Sequence, residues 1–524
     1  MTPAKPRWID SLRFAVTSRR TLAVVALSFS SGLPLGLVWI AVPDWMASVG
    51  ISKTMVGMTT LAHAPWTFKM LWSPLMDRYP LPWLGRRRGW IAICQLALCG
   101  TTLALAAASH HPDAPWVIIA VCLAIAFASA SQDIVIDAYT VDVLRPEEQG
   151  IAVGARLAAY RVAMNVVSGA LGITLVHWLG WSVVAAGLAL LYLPLLVVTR
   201  LAPESERPIP PPPSLRDAVW LPFLGFLRRH RALEILAFVL TYKLGDNLAE
   251  ALLRPFLGDM GYDHVARGVG LGTIGYAATV AGTLAGGALC TVWGLGRCLW
   301  LFGFLQIFSN VGYILVAQSE VNLPLMYGAM GFESATKGMG MGAFGVLLLR
   351  LTQKRFSATQ YALYSSLFAL PRLIAGPITG ILVDTVGWVP FFWFTMVMGI
   401  PGMVLLARFV RPGVRDPVFT VEPPRSREPL TSRGLIGRAT AGGIVGAALA
   451  LGIMATLEAL NALRGTPGGG FDALGPLVHM LTPSDASAVL ELFGALVFGV
   501  LCALFTAAVF AARAGSPGDA EEPL

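Results

Sequence analysis

Windows of about twenty apolar residues recur along this chain from end to end, and no other feature constrains its fold as strongly. Each window is long enough to cross the hydrocarbon core of a bilayer as a helix. The chain has 524 residues, of which 56% are hydrophobic and 13% charged, and its mean hydropathy is +0.67. A soluble domain carries about 25% charged residues to cover its surface. Here lipid would accept the apolar surface instead. The length would suit about three or four soluble domains, but the apolar runs show no such partition. The 55 glycines and 35 prolines lie within the runs, where neighbouring helices can satisfy the freed backbone groups. The expected class is an all-α membrane protein.

The predicted spans are 21–42, 54–77, 89–108, 116–143, 150–178, 181–200, 232–257, 267–291, 298–317, 323–351, 357–384, 387–410, 434–463 and 486–513. One side receives Lys5, Arg7, Arg13, Arg19, Arg20, Arg78, Arg86, Arg87, Arg88, Arg145, Arg228, Arg229, Arg231, Lys354, Arg355 and the Arg408–Arg438 segment. The opposite loops hold little beyond Lys53, Arg267 and Arg464. The positive-inside rule then puts both termini in the cytoplasm. It also explains the +8 formal charge without nucleic acid. Arg19-Arg20 followed by the run to Val42 resembles a signal peptide, but the run is long enough to span and lacks a small-x-small cleavage site. It reads as an uncleaved first helix. The six cysteines (94, 99, 122, 290, 298 and 502) form no CxxC pair and no metal-ligand spacing, so free thiols and no metal are expected.

Proline-rich 201–231 reads as a cytoplasmic linker between two six-helix bundles, 1–200 and 232–410. A second linker, 411–433, leads to two extra helices within 434–513 and a cytoplasmic tail, 514–524. The halves show a repeat. Val56–Leu61 aligns with Val269–Ile274 at an offset of 213, and Gly169–Trp181 with Gly376–Trp388 at an offset of 207. Many secondary transporters are built from such repeats, with the site near the midplane between them. The loop after the second span reads Asp77-Arg78, then Gly85-Arg86-Arg87-Arg88-Gly89, and Gly294-Leu295-Gly296-Arg297 is a worn second copy.

A charge at the bilayer centre costs at least about 2.5–3.5 kcal/mol on insertion scales, so each one is a candidate for function. Lys69 lies deep in the second span. Asp133 and Asp137 are four residues apart in the fourth, on one face and without a basic partner in that helix. Lys243, Asp246, Glu250 and Arg254 read as an alternating ladder in the seventh, and Glu333 with Lys337 as a pair in the tenth. Arg161 and Arg372 are single arginines in the fifth and eleventh. A ring of structural ion pairs is the competing reading, strongest for the ladder. Asp133 and Asp137 are the expected proton-coupling residues. The central cavity is expected to use Lys69, Arg161, Tyr242, Lys243, Asp246, Glu333, Lys337 and Arg372, whose cations suit an anionic substrate. Gly32 and Pro34 fall at mid-depth of the first span and read as curvature, with a broken, site-lining helix as the alternative. Trp66, Trp72, Tyr160, Tyr242 and Tyr361 are candidates for stacking on sugar rings or for contact with lipid.

Several long polar stretches resemble the AmpG-type muropeptide permeases of the major facilitator superfamily. They are Phe29–Pro34, Phe68–Arg78, Gly85–Trp90, Ala128–Asp137, Tyr242–Asp246 and Phe356–Gln360. The resemblance covers roughly residues 20–410. It implies the superfamily fold, two pseudo-symmetric six-helix bundles, here with two additional C-terminal transmembrane helices. It also implies a gating role for the loop of Asp77, Arg78, Gly85, Arg86 and Arg87. The implied activity is import of anhydro-muropeptides, GlcNAc–anhydroMurNAc with or without peptide, across the bacterial inner membrane for peptidoglycan recycling. It would be driven by a proton gradient and without a cofactor, and would link cell-wall damage to β-lactamase induction. A monomer is expected. Glu250, Arg254 and Lys337 depart from the family pattern, which keeps another anionic solute open, such as a CoA thioester or a siderophore. A membrane transferase is disfavoured, because the seven histidines are scattered and no acid clusters with them at a helix end.

Overall fold

The computed structural model describes residue 13, residues 17–419 except 82, 112, 206–209, 228 and 230, and residues 432–514 except 466–470 and 484. The expected N-terminal tail, the core of the second linker and the C-terminal tail therefore lie outside the described residues. The first six spans are α1 (Arg19–Ser48), α2 (53–78, in short pieces), α3 (Arg88–Ala108), α4 (Pro115–Val143), α5 (Gln149–Leu179) and α6 (Trp181–Leu201). The next six are α7 (232–259, in three pieces), α8 (His264–Trp293), α9 (Leu295–Gln318), α10 (Leu323–Leu351), α11 (Ser357–Val386) and α12 (Trp388–Phe409). Two more follow, α13 (Ser432–Gly465) and α14 (Ala486–Ala514). Part of the segment read as a linker is itself helical, Leu215–Leu227.

Nine of the described helices are long and apolar enough to cross a membrane. The helices α2, α7, α10, α11 and α14 fall outside that set, and α2, α7 and α10 carry most of the mid-depth ionisable residues. The sequence predicted α2 and α7 as unbroken. Instead 3₁₀ turns at Thr59–His63 and Lys69–Leu71 divide α2, and α7 breaks after Thr241 and again at Leu252.

The described chain forms two compact units, Met1–Val219 with Glu234–Val418, and Trp220–Leu233 with Phe419–Leu524. Within the second, α13 and α14 form an antiparallel hairpin of small residues. A Cβ on Gly443 would stand 3.0 Å from Ala503 Cβ, and one on Gly499 would stand 2.9 Å from Ala447 Cβ. Lipid gives helices no hydrophobic reason to associate, so close backbone approach through small residues supplies the attraction.

The repeat is visible in the backbone. Three pairs of glycines take nearly equal left-handed φ angles at matching turns: Gly50 and Gly261 (both 82°), Gly85 and Gly294 (87° and 88°), Gly180 and Gly387 (78° and 79°). Any other residue there would clash with its own backbone. After the first pair, Ser52 and Asp263 cap α2 and α8 by accepting from the amides of Met55 and Ala266. Both copies of the first aligned segment are also irregular, with the α2 break at Thr59 matched by a π turn at Val269–Ile274 in α8.

Helix α1 runs through Pro34 and widens into a π turn at Leu37–Ala41, so it bends rather than breaks. Gly32 and Gly36 bring its backbone onto α5: added Cβ atoms would stand 2.9 Å from Ala163 Cβ and 2.8 Å from the Met164 carbonyl carbon. The two bundles meet most closely where the N-terminal end of α5 crosses the C-terminal end of α8. Gly150 and Gly154 face Thr283, Gly287 and Thr291 there, and the Ile151 amide donates to Thr291 Oγ1 at 3.0 Å. A Cβ on Gly287 would fall 2.5 Å from the Gly150 oxygen and 2.8 Å from Gly154 Cα. Gly287→Val should therefore wedge the bundles apart. It is expected to lower the detergent melting temperature by several degrees, about 1–3 kcal/mol of overpacking, read by thermal unfolding of the purified chain.

Candidate functional site

The acid pair on α4 finds its partners on other helices. Lys69 Nζ, from the irregular part of α2, lies 3.6 Å from both Asp133 and Asp137. Asp137 also pairs with Arg156 of α5, and Asp133 accepts a hydrogen bond from Ser31 of α1. Arg156 stands 5.9 Å over the Tyr361 ring of α11. The network continues through buried polar residues. Ser30 accepts from Gln132 at 2.7 Å and from Gln95 at 3.3 Å, and Thr199 donates to Gln95 at 2.8 Å. Trp72 Nε1 donates to Ser131 at 3.1 Å. The motif residues 29–34 and 128–137 thus meet each other. Their depths agree: Lys69 lies nine residues from the end of α2, Asp133 ten from the end of α4, and Arg156 seven from the start of α5.

In the second bundle the expected ladder does not run down one face. Lys243 binds Asp246 at 2.9 Å and also donates to Gln306 of α9 and to the Lys337 carbonyl. Glu250 pairs instead with Lys337 of α10 at 2.7 Å. Lys337 is therefore not the partner of Glu333, which accepts from Tyr313 and Ser334, each at 3.3 Å. The break at Leu252 ends the helix that would have brought Arg254 into register. Tyr242 is buried, donates to the Leu299 carbonyl at 3.1 Å and stacks on Phe344. Arg161 reaches Met341 Sδ at 2.8 Å, and the Arg372 side chain is exposed.

At the arginine-rich end, the loop of Asp77 and the arginines holds the two bundles together. Asp77 and Arg87 are 0% and 4% exposed. Asp77 accepts from the Thr359 amide (2.8 Å), the Thr359 hydroxyl (2.7 Å) and the Ala358 amide (3.3 Å), all in the first turn of α11. A carboxylate there meets unpaired amides and the positive end of the helix dipole. Arg87 donates to Asp77 (2.6 Å), to Asp142 of α4 (2.9 Å) and to Ser357 of α11 (2.8 Å). Arg86 reaches Asp77 at 3.4 Å and the Arg355 carbonyl at 2.7 Å. Burial and then the neighbouring Arg87 push the Arg86 guanidinium down to about 10, against the pull of Asp77 and Asp142, so it stays charged at neutral pH. Arg78 takes no part in these pairs and lies 5.3 Å over Tyr79. Gly85 holds the turn, and Arg88 is tied to Glu204.

Among the described residues, the hydrogen bonds between the two bundles lie at this end or at mid-span. They involve Arg86, Arg87, Asp77, Asp142, Gln149, Ile151 and Arg161 on one side, and Thr291, Met341, Arg350, Lys354, Arg355, Ser357, Ala358 and Thr359 on the other.

Sequence reasoning missed Ser31, Asp142, Arg156, Gln306, Tyr313 and Thr359. Arg156 was findable, because antiparallel neighbours place equal distances from a shared loop at equal depth. Removing the Asp77 charge should open the arginine-rich end. Asp77→Asn is expected to cost about 3–5 kcal/mol, as when one partner of a buried pair is removed. It should also raise maleimide labelling of a cysteine placed at Ala358, the amide of which Asp77 now accepts.

A family model described as Major Facilitator Superfamily matches residues 24–370. The chain is 41% identical over 389 residues to the anhydromuropeptide permease of Escherichia coli K12, covering 74% of this chain and 79% of that one. It is 27% identical over 397 residues to putative transporter AmpG 4 of Rickettsia felis, covering 74% and 95%. Among solved structures it is similar to the proton:xylose symporter XylE bound to 6-bromo-6-deoxy-D-glucose (TM-score 0.55, 12% identity, 76% and 97% covered). It is also similar to the human organic anion transporter MFSD10 (TM-score 0.51, 16% identity, 77% and 100% covered). At those identities the structural likeness speaks for the fold alone.

Proposed function

Since the chain belongs to the major facilitator superfamily, and within it to the family of the anhydromuropeptide permeases, we propose that it imports anhydro-muropeptides by proton-coupled alternating access. The substrate reading is supported by the 41% identity to the E. coli anhydromuropeptide permease. The observation that carries the coupling is the lysine shared by two carboxylates, with Lys69 3.6 Å from each of Asp133 and Asp137.

Asp137 has a second cation, Arg156, whereas Asp133 has only its share of Lys69 and the Ser31 hydroxyl. Asp133 is thus the acid whose neutralisation costs least. Protonating it hands Lys69 wholly to Asp137 and frees Ser31 on α1. Lys69 sits in a 3₁₀ turn of α2, whose other end carries Asp77 and the bonds to α11. A proton at Asp133 can therefore loosen the closure between the bundles. Lys243, Asp246, Glu333, Lys337, Arg161 and Arg372 form the polar wall for the substrate, with Tyr242 positioning α7 from behind.

The bundles 1–200 and 232–410 are the bodies that rock. The charge bias of the loops puts the arginine-rich end in the cytoplasm, with both termini there and the chain in the bacterial inner membrane. The closed end is then the cytoplasmic one, and the substrate enters from the periplasm. The protein acts as a monomer.

Uptake of labelled GlcNAc–anhydroMurNAc into cells lacking their own permease tests the reading. Uptake should require this chain and collapse with a protonophore. Asp133→Asn and Asp137→Asn should each abolish protonophore-sensitive uptake while leaving the protein in the membrane. Full transport by both variants would remove the coupling role. Uptake of a CoA thioester or a siderophore but not the disaccharide would reassign the substrate.

A further inference from the structure

Among the described residues, two arginines at mid-span have no carboxylate partner at ion-pair distance, and they come from opposite bundles. Every other lysine or arginine in the middle of the described spans is paired: Lys69 with Asp133 and Asp137, Arg156 with Asp137, Lys243 with Asp246, Lys337 with Glu250. Arg161 makes one contact, to the sulfur of Met341 at 2.8 Å. Arg372 makes none of ion-pair length among the described residues, and its side chain is exposed. A bare guanidinium at this depth is costly. A helix that keeps one gains when something else supplies the anion.

The two arginines share one neighbourhood. Each acts electrostatically on the other and on Glu250. The repeat relation gives the same answer. The offset of 207 that carries α5 onto α11 places Arg372 on Asn165, one helical turn from Arg161. The arginines therefore stand on corresponding faces of corresponding helices, one in each bundle. Glu250 is the anion within their reach, but it is bound to Lys337 at 2.7 Å and is 37% exposed. It leaves the arginines with more positive charge than it can neutralise.

We propose that Arg161 and Arg372 form a two-sided clamp for a carboxylate of the transported ligand, with Glu250 as the internal anion that moderates their charge while the clamp is empty. This rests on the muropeptide reading and names the group that the site recognises. The peptide-free disaccharide carries one carboxylate, on its lactyl ether, and peptide-bearing forms carry others on the peptide. A guanidinium fork matches a carboxylate with two parallel hydrogen bonds. Because the arginines belong to different bundles, their repulsion opposes closure around a site without an anion. A carboxylate between them turns that repulsion into attraction to a shared partner. The sugar would then give fit, and the carboxylate would permit closure.

The test compares uptake of GlcNAc–anhydroMurNAc with uptake of its lactyl methyl ester, using the full chain in proteoliposomes with an imposed proton gradient. For the wild type, the ester should show a KM raised about tenfold or more, as expected for loss of a charge-assisted hydrogen-bonded pair. In Arg161→Gln and Arg372→Gln, the advantage of the acid over the ester should disappear. Arg372→Lys should recover part of the difference. Equal uptake of acid and ester by the wild type overturns the clamp, and this comparison needs no variant to fold. Variants that weaken acid and ester equally also overturn it. Failure of the wild type to take up either compound overturns the muropeptide reading itself, a distinct result.

Discussion

The cost of placing charge in a medium that cannot solvate it governs the interior of this protein. The exterior of the bundles needs only apolar side chains, and most spans supply them. The interior holds five mid-depth acids and six cations, counting Asp133, Asp137, Asp246, Glu250 and Glu333 against Lys69, Arg156, Arg161, Lys243, Lys337 and Arg372. Each must be paired or must await a partner. Pairing fixes which helices touch. Lys69 draws α2 to α4, Arg156 draws α5 to α4, and Lys337 draws α10 to α7. Replacing such pairs with apolar residues often stabilises a protein, so stability alone does not account for their presence.

The contact between bundles follows a different rule. At the arginine-rich end it uses backbone approach and a buried polar knot together. The glycines of α5 and α8 permit contact without side chains to reorder. Asp77 and Arg87 then link α2, α4 and the first turn of α11. Neither element is continuous with the charges at mid-span, yet α2 carries both Asp77 and Lys69. The 3₁₀ turn at Lys69–Leu71 starts at the lysine and separates it from the short helix that carries Asp77. A 3₁₀ segment in a longer helix often marks a hinge, and here it joins the acid pair to the closure.

How much of this was legible beforehand depends on whether the signal was local. Span positions, the repeat, the arginine-rich loop after the second span and the mid-depth charges are all local or periodic in the sequence. The comparisons and the helices bear out the fold class and the family. Pairing is not local. Lys243 to Arg254 read as a ladder because a continuous helix would stack residues three and four apart, but the break at Leu252 rotates Arg254 away. Glu333 and Lys337 read as a pair for the same reason, yet Glu250 reaches Lys337 from another helix. In a polytopic bundle a charged residue has neighbours on several helices, so intrahelical spacing gives only one of its options. Depth counted from shared loops is the better guide, and it would have found Arg156.

The two bundles share a backbone plan but not a chemistry. In the first, the acids lie on an unbroken α4, and the irregular partner is α2. In the second, Asp246 and Glu250 lie on the broken α7, and the unbroken α10 supplies Glu333 and the cation Lys337. Each bundle thus sets a rigid helix against a deformable one, with opposite charge assignments. Motion that separates Lys69 from Asp133 in one bundle need not disturb Lys337 and Glu250 in the other. The acid pair with Lys69 and the Lys337–Glu250 pair therefore sit in separate halves of one molecule that share the contact between the bundles.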